Sequence, residues 1–552
     1  MKKTSLLILL CLAMFNLFAW EGNGTIENPY KISSPQDLIA LSEASESFEG
    51  IYFQQTQTID MQTYQGFKPI GTKNVAFQGN YDGQNYGINN LKITEGYYSN
   101  QRIALFGSLS TGAVIRNLYI GGASHFEGTN YVGSIAGECY FGVTIDNCSS
   151  SATVIGLGTD VGGIVGKGYI VKNCSFLGSV TVDYIYGSRT GGVAGSVSET
   201  IERCSNFGTV KGHQNVGGVC GFIATDGMIV DCYNKGSVTG TSDYVGGVAG
   251  YVSSGLISTA GMSRCHNDGS VKGVNYVGGV VGYTAITDVA GNTGNVEAQG
   301  EFVGGVAGSG TIYRSYNRGA VTGSSSVGGV IGLLSEANNC YNTGAVSGSN
   351  RVGGLVGSAN GTSCKLRNSY NAGSVSSTEN LVGGIVGFMN TGGLVNSNEI
   401  TNTYWNSDVY TGDGVGNLSA PTTQFQYYPK TSAELRNGFS ATLGSATWKE
   451  DDAHANSGYP ILREEAQISV KEYPSMLSDV KVYSFGNQIH IANNTQIEIK
   501  QVEVMDIRGR SIYRNSLTST AETITLNVPS GVYIVRLFTG NETKAYKVVL
   551  TK

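Results

Sequence analysis

Along most of this chain the apolar residues recur on two nested periods. Within a segment they alternate with polar or small residues, as in Ser237-Val238-Thr239 and Ser270-Val271-Lys272, which is the period-2 signature of a strand with one face buried. On the longer scale the hexamer Val-Gly-Gly-Val-x-Gly, or a near variant, returns ten times. Its first glycines are Gly133, Gly162, Gly191, Gly217, Gly246, Gly278, Gly304, Gly328, Gly353 and Gly383, spaced 24 to 32 residues apart. Between the hexamers runs a second motif, Cys/Ser-Tyr-Asn-x-Gly-x-Val, clear at 232–238 and again at 315–321. Each unit holds β-prone pieces separated by glycines and no helical periodicity. Roughly three strands of 3–6 residues with their turns fill it. Such a unit cannot close its own core, so units must stack. The pattern predicts an all-β chain: a parallel β-helix (solenoid) of about ten or more coils, about 4.8 Å apart, followed by a small immunoglobulin-like β-sandwich.

Stacking turns each repeat position into a ladder. Val154, Val180, Val210, Val238, Val271, Val321, Val346 and Val375 are expected to form one apolar ladder in the core. Cys148, Cys174, Cys204, Cys232, Cys265 and Cys340 share one position with Ser315 and Ser369, which marks a small buried slot. Without Cys11 of the leader nine cysteines remain, an odd number, and no Cys-x-x-Cys occurs. These are read as packing thiols, with no disulfide framework and no metal site. If the cysteine points inward, alternation sends its neighbour outward and the next asparagine inward. Asn206, Asn234, Asn267, Asn317, Asn342 and Asn371 then stack as an amide ladder. Tyr233, His266, Tyr316, Tyr341 and Tyr370 become an exposed aromatic row, either a face on which sugar rings stack or simply a cover for neighbouring coils.

Composition sharpens this picture. Gly makes up 80 of 552 residues and charged residues only 14%, while 32 Tyr and a 40% hydrophobic content supply ample surface to bury. The net charge of −6 comes without a basic stripe, which argues against nucleic acid as a partner. Lys2, Lys3, the apolar run Leu6 to Phe18 and Ala19 read as a signal peptide over 1–19, too short to span a membrane. No other run is long enough, so no transmembrane anchor is expected.

The N-terminal region over 20–125 is expected to be a cap with the first coils. The repeats then run over 126–400 and a C-terminal cap over 401–463. Residues 464–478, with Pro474 and few apolar side chains, look like a linker. From about Val480 roughly seven short alternating strands suggest a sandwich over 479–552.

The repeat units resemble the GLUG repeat, named for Gly-Leu/Val-x-Gly and found in large bacterial adhesins and in the N-terminal part of immunoglobulin A metallopeptidases. The resemblance covers about 20–463. It includes Gly22-Asn23-Gly24-Thr25, Asn28-Pro29-Tyr30-Lys31-Ile32, Phe77-Gln78-Gly79, Asp82-Gly83 and Ile88 to Ile93 at one end. At the other end it includes Tyr404-Trp405, Trp448 and Gly458-Tyr459-Pro460-Ile461-Leu462. The tail is similar to the C-terminal sorting domain of the type IX (Por) secretion system. It carries Val504-Met505-Asp506-Ile507-Arg508-Gly509-Arg510, Pro529-Ser530-Gly531-Val532-Tyr533-Ile534-Val535 and Lys547 to Lys552, although Ser484-Phe485-Gly486 replaces the customary Pro-Asn-Pro. Asp506, Gly509, Gly531, Tyr533 and Lys552 mark that motif. The resemblance implies export through Sec and then the type IX machinery of a Bacteroidetes-type bacterium. The destination would be the medium or the outer-membrane cell surface, with an extracellular glycan or a host or matrix protein as the partner.

Catalytic chemistry has less support. The histidines His125, His213, His266, His454 and His490 are never four apart, so no His-Glu-x-x-His zinc site exists. The alternative is a carbohydrate-active β-helix enzyme, a polysaccharide lyase or hydrolase, which needs clustered carboxylates. Asp160, Asp243 and Glu301 are candidates near the coil edges, but Asn215, Asn275, Ser326 and Arg351 stand at similar positions, as turn residues do. Asp60 and Asp82 at the entry fit such a site and a turn cap equally well. No cofactor is expected, and the favoured reading is a non-catalytic binding or adhesion protein.

Overall fold

The structure is a computed structural model that describes residues 20–94, 102–121, 123–253, 261–390, 397–418, 424–465, 480–493, 499–506, 510–516, 521–538 and 543–551. The signal peptide over 1–19 and residues 466–478 of the expected linker lie outside the described residues.

A representative coil shows why the repeat folds as it does. Ser188–Gly191 carries the hexamer's valine position, Ala194–Glu202 forms a long strand, Ser205–Asn206 a two-residue strand, and Thr209–Gly212 the valine strand. Each strand pairs parallel with its equivalent one coil on, giving a 9-stranded hexamer face, an 11-stranded valine face and a 30-stranded face made of the long and short strands. About 13 coils stack this way. On the valine face Val154, Val180, Val210, Val238 and Val271 pair in sequence, followed by Val296, Val321, Val346 and Val375. Val296 occupies a rung that the sequence pattern had left unassigned.

The interior holds two apolar columns. One joins the valine ladder to Val216, Val245, Val277, Val303, Val327 and Val352 of the hexamers. The other holds the residues after the Gly-Gly pair, such as Val219 and Val248, with the cysteines and the long-strand aliphatics. Between the columns, in the chain, come the second hexamer glycine and the asparagine, and the two touch. A Cβ on Gly247 would lie 2.3 Å from the amide carbon of Asn267 and 2.1 Å from Gly279 O. The Gly-Gly motif and the Asn-x-Gly motif are thus two halves of one contact.

The first coil is covered by the helix Pro35–Glu43, which starts at a Ser34 cap with Pro35 in its first turn and buries Leu38 and Leu41. This helix was not foreseen from the repeat pattern. At the far end Glu399–Asn406 and Phe425–Lys430 add the last rungs. The chain then runs back through the short helices Ser432–Arg436 and Phe439–Leu443.

The tail is a sandwich of two antiparallel sheets. Val480–Phe485, Gln488–Asn493 and Ala521–Thr525 form one; Ser511–Asn515, Gln501–Asp506, Gly531–Phe538 and Thr543–Leu550 form the other. Ile489, Ile491 and Ile524 of the first share a core with Val502, Val504, Val535, Leu537, Val548 and Leu550 of the second.

Candidate functional site

The buried ladders explain the motif residue by residue. Before each cysteine stands a residue with left-handed backbone, such as Asn147, Asn173, Arg203, Asp231 or Arg264, with φ between 49° and 55°. Across that bend the thiols donate to the carbonyl two residues back: Cys174 Sγ to Lys172 O at 3.1 Å, Cys265 Sγ to Ser263 O at 3.3 Å. Ser315 Oγ and Ser369 Oγ make the same bond at 2.7 and 2.6 Å. The slot therefore wants a short side chain with one donor, which Cys and Ser both provide. Cys148, Cys174, Cys204, Cys232, Cys265 and Cys340 are all buried and free. Burial pushes the Cys340 thiol up to about 12.

Asn206, Asn234, Asn267, Asn317, Asn342 and Asn371 stack with their amides linked head to tail, and Asn292 fills the rung between Asn267 and Asn317. Each Nδ2–Oδ1 bond measures 2.7 or 2.8 Å. Asn267 also donates to Gly269 O at 2.8 Å and accepts from Gly269 N at 3.2 Å, so its amide is satisfied inside the protein.

The aromatic row needs correction. Tyr233, His266, Tyr316, Tyr341 and Tyr370 do share a register, with Gly291 between His266 and Tyr316. They are not an exposed face: His266 is 8% exposed, Tyr316 1%, and Tyr341 and Tyr370 0%. The returning C-terminal cap covers them. Trp448, Tyr459 and Leu462 join their core, Tyr370 Oη donates to Pro460 O at 2.6 Å, and Tyr341 Oη donates to Glu465 at 2.8 Å. Arg318 lies 4.8 Å over the Tyr316 ring and pairs with Glu465, while Arg314 pairs with Glu464 at 2.9 Å. Glu464 and Glu465, placed by the sequence in the linker, thus belong to the cap. Only Tyr233 remains half-buried, beyond the covered stretch. There its hydroxyl and His266 Nε2 both meet Asp268, at 2.6 and 2.7 Å.

The acidic coil-edge candidates also resolve. Asp160, Asn215, Ser326 and Arg351 share one left-handed position with φ of 51–60°. Asp243, Asn275 and Glu301 stand one residue earlier, before Tyr244, Tyr276 and Phe302, which carry that backbone instead. Asp160 is buried, accepts from Ser196 Oγ and faces Arg189 at 3.5 Å; burial raises its carboxyl despite these partners. Asp60 and Asp82 accept from the amides of Gln62 and Gln84 at 3.0 and 2.9 Å, as turn caps do. Among the described residues no group of three or more His, Cys, Asp or Glu side chains is placed to hold a metal ion.

What the sequence pattern missed is a second set of rings on the corner between the hexamer face and the long strands. Tyr244, Tyr276 and Phe302 stack with centroids 5.0 and 4.9 Å apart. Phe222, Tyr251 and Tyr283 stack beside them at 5.6 and 4.7 Å. Tyr244 meets Tyr251 edge to face at 5.2 Å, knitting the rows together. All six rings are half-buried. The available signal was the aromatic residue two before the first hexamer glycine, at 244, 276 and 302, repeated again seven residues later at 251 and 283. A separate cleft of about 810 Å³ lies where the cap helices meet the last rungs, lined by Tyr404, Tyr428, Lys430, Glu434 and Phe439.

In the tail, Asp506 accepts from Arg510 N at 3.0 Å and closes a turn, and Tyr533 is buried with its hydroxyl donating to Pro529 O at 2.7 Å. Ser484-Phe485-Gly486 leads into the first hairpin, leaving Phe485 exposed. A Cβ on Gly531 would meet no atom closer than 3.8 Å. Gly509 and Lys552 lie outside the described residues.

Residues 464–550 match a family described as a domain of unknown function (DUF8694). Halomucin of Haloquadratum walsbyi is 34% identical over 158 residues, 27% of this chain and 2% of halomucin. An immunoglobulin A1 protease of Streptococcus sanguinis is 29% identical over 190 residues, 32% of this chain and 9% of the protease. The chain thus spans a small fraction of these relatives' length. A Bacteroides ovatus protein with a provisional immunoglobulin A1 protease name aligns in its crystal structure over 80% of this chain and 94% of its own, at 17% identity and a TM-score of 0.31. Among the described residues no helix is long and apolar enough to cross a membrane.

Proposed function

We propose that this chain is a secreted or cell-surface, non-catalytic binding protein of the GLUG-repeat type. In this reading residues 1–19 direct Sec export, the sandwich over 479–552 is the type IX sorting domain, and the solenoid displays a contact face. The relatives named halomucin and immunoglobulin A1 protease support a surface or secreted setting.

The observation that carries the binding role is the six-ring platform of Phe222, Tyr244, Tyr251, Tyr276, Tyr283 and Phe302. Its apolar surface is held in place by stacking and left half-open to solvent. Half-exposed aromatic clusters on rigid frames are favoured contact surfaces because they lose little conformational entropy on binding. The carboxylates point the same way: Asp160 is held in an ion pair of the fold, and Asp60 and Asp82 accept from turn amides.

The test is the shape of the loss. Single, double and triple ring-to-alanine variants of the full chain are passed over immobilised polysaccharides and matrix proteins. A contact face predicts retention that declines stepwise. Collapse of all activity on a single carboxylate change such as Glu301→Gln, with the ring variants unaffected, would instead favour a carbohydrate-active enzyme.

A further inference from the structure

We infer that the six-ring platform takes an extended, neutral polysaccharide laid along the solenoid axis, with one sugar residue per coil. The inference rests on the binding-protein reading above and names the ligand class of that face.

The geometry sets the register. The rings repeat with the coils, at 5.0 and 4.9 Å in one row and 5.6 and 4.7 Å in the other. These spacings follow the strand-to-strand distance of the sheet. They are close to the advance per residue of an extended pyranose chain, so successive sugars meet equivalent rings without slipping out of step. They also exceed the contact distance of stacked carbon atoms, about 3.5–4.0 Å. Rings at this spacing and nearly parallel therefore overlap like shingles, and part of each face stays open for the C–H face of a sugar.

The polar groups fit the same ligand. The hydroxyls of Tyr244, Tyr251, Tyr276 and Tyr283 make no hydrogen bond to other described residues, so each is available to a sugar hydroxyl. Along one rim Asn275 Nδ2 donates to Asp243 Oδ1 at 3.0 Å and Glu301 N donates to Asn275 Oδ1 at 2.9 Å, which aligns two carboxylates beside Tyr276. After burial, the charges of Asp243 and Glu301 raise the Tyr276 phenol. An acidic rim accepts hydrogen bonds from neutral sugar hydroxyls and repels uronate or sulfate groups. Arg189 lies 4.7 Å over the Phe222 ring and pairs with Asp160 at 3.5 Å, which offsets its charge. The platform also ends: Ser196 precedes Phe222 and Ser309 follows Tyr283 in register, and Asn215 and Ser326 flank the other row. The rings therefore span four coils.

The experiment titrates the full chain with cello-, xylo-, manno- and laminari-oligosaccharides of two to eight sugars, and with oligogalacturonate, by calorimetry. For at least one neutral series affinity should rise with length to about four sugars and then level off, with little dependence on salt. Tyr276→Ala and Tyr283→Ala should each weaken binding about tenfold, the loss of one stacked ring. Tyr276→Phe, which keeps the ring and so guards against a folding defect, should weaken it less. Tyr186→Ala, at a tyrosine 75% exposed elsewhere, should change nothing. Preference for oligogalacturonate, affinity independent of length, or binding indifferent to both ring-to-alanine variants would overturn the inference. If the chain instead holds a matrix protein through these same rings, the glycan inference falls and the binding-protein reading stands. If it binds none of these ligands and releases reducing ends from polysaccharide, both fall.

Discussion

Replacing Asn267 by alanine tests the internal logic of the solenoid most sharply. The side chain makes four hydrogen bonds: it donates to Gly269 O and Asn292 Oδ1 at 2.8 Å, and accepts from Asn234 Nδ2 at 2.7 Å and Gly269 N at 3.2 Å. Asn267 is fully buried, and so are its ladder neighbours. A buried polar group left unsatisfied costs about 1–3 kcal/mol, so four such groups cost about 4 kcal/mol even at the low end. Repeat arrays open locally, so a single melting curve would blur the effect. Hydrogen exchange by mass spectrometry on peptides spanning 262–273 and 287–296 reads it directly. At about 1.4 kcal/mol per decade, protection there should fall roughly a thousandfold, while peptides of the tail stay unchanged. A fall of less than tenfold would show that the amide ladder is not a stabilising network and would refute the reasoning.

Three further outcomes follow from the same contacts. Gly247→Ala drives a Cβ into the Asn267 amide and Gly279 O and should abolish soluble folded protein, whereas Gly112→Ala, with φ of 91° but open space around it, should cost only about 1–2 kcal/mol in a urea melt. Cys265→Ser should change stability by less than about 1 kcal/mol, because Ser263 O already receives a donor there as Tyr313 O does from Ser315. A drop of 3 kcal/mol or more in the same melt would contradict the shared-slot account. For Asp268, burial alone would raise the carboxyl, but the hydrogen bond and charge of His266, with Thr293 and Tyr233, hold it well below the usual range. A carboxylate lowered on folding contributes stability that is present above its unfolded value, about 3.9, and lost as pH falls through its folded value. Asp268→Asn should therefore lower the thermal midpoint at pH 7 and flatten its decline below pH 4; an unchanged acid limb would exclude this role.

Much of the fold was legible because a repeat states its rule many times over. The spacing of Val210, Val238 and Val271 and the alternation Cys-Tyr-Asn fixed which side chains face inward, and both hold in the coils. The rung at 290–296 escaped because Ala290-Gly291 stands where Cys-Tyr was sought, although Asn292-Thr293-Gly294 and Val296 kept the remainder of the motif. The exposure of Tyr316, Tyr341 and Tyr370 was misjudged for a different reason. Alternation tells which way a side chain points, but not that residues 448–465, roughly a hundred positions later, return to cover it. The six-ring platform was missed because its two rows come from different strands of one coil, one of them from a left-handed turn position that strand periodicity does not describe.

The central claim is that this solenoid holds its ligand and does not transform it. The direct measurement passes the full chain over immobilised neutral polysaccharide and follows retention and the release of reducing ends in the same samples. The account predicts retention with no product, lost progressively as Tyr244, Tyr251, Tyr276 and Tyr283 are replaced. Reducing ends appearing in proportion to protein and time would contradict it and move the search to the carboxylates of the coil edges.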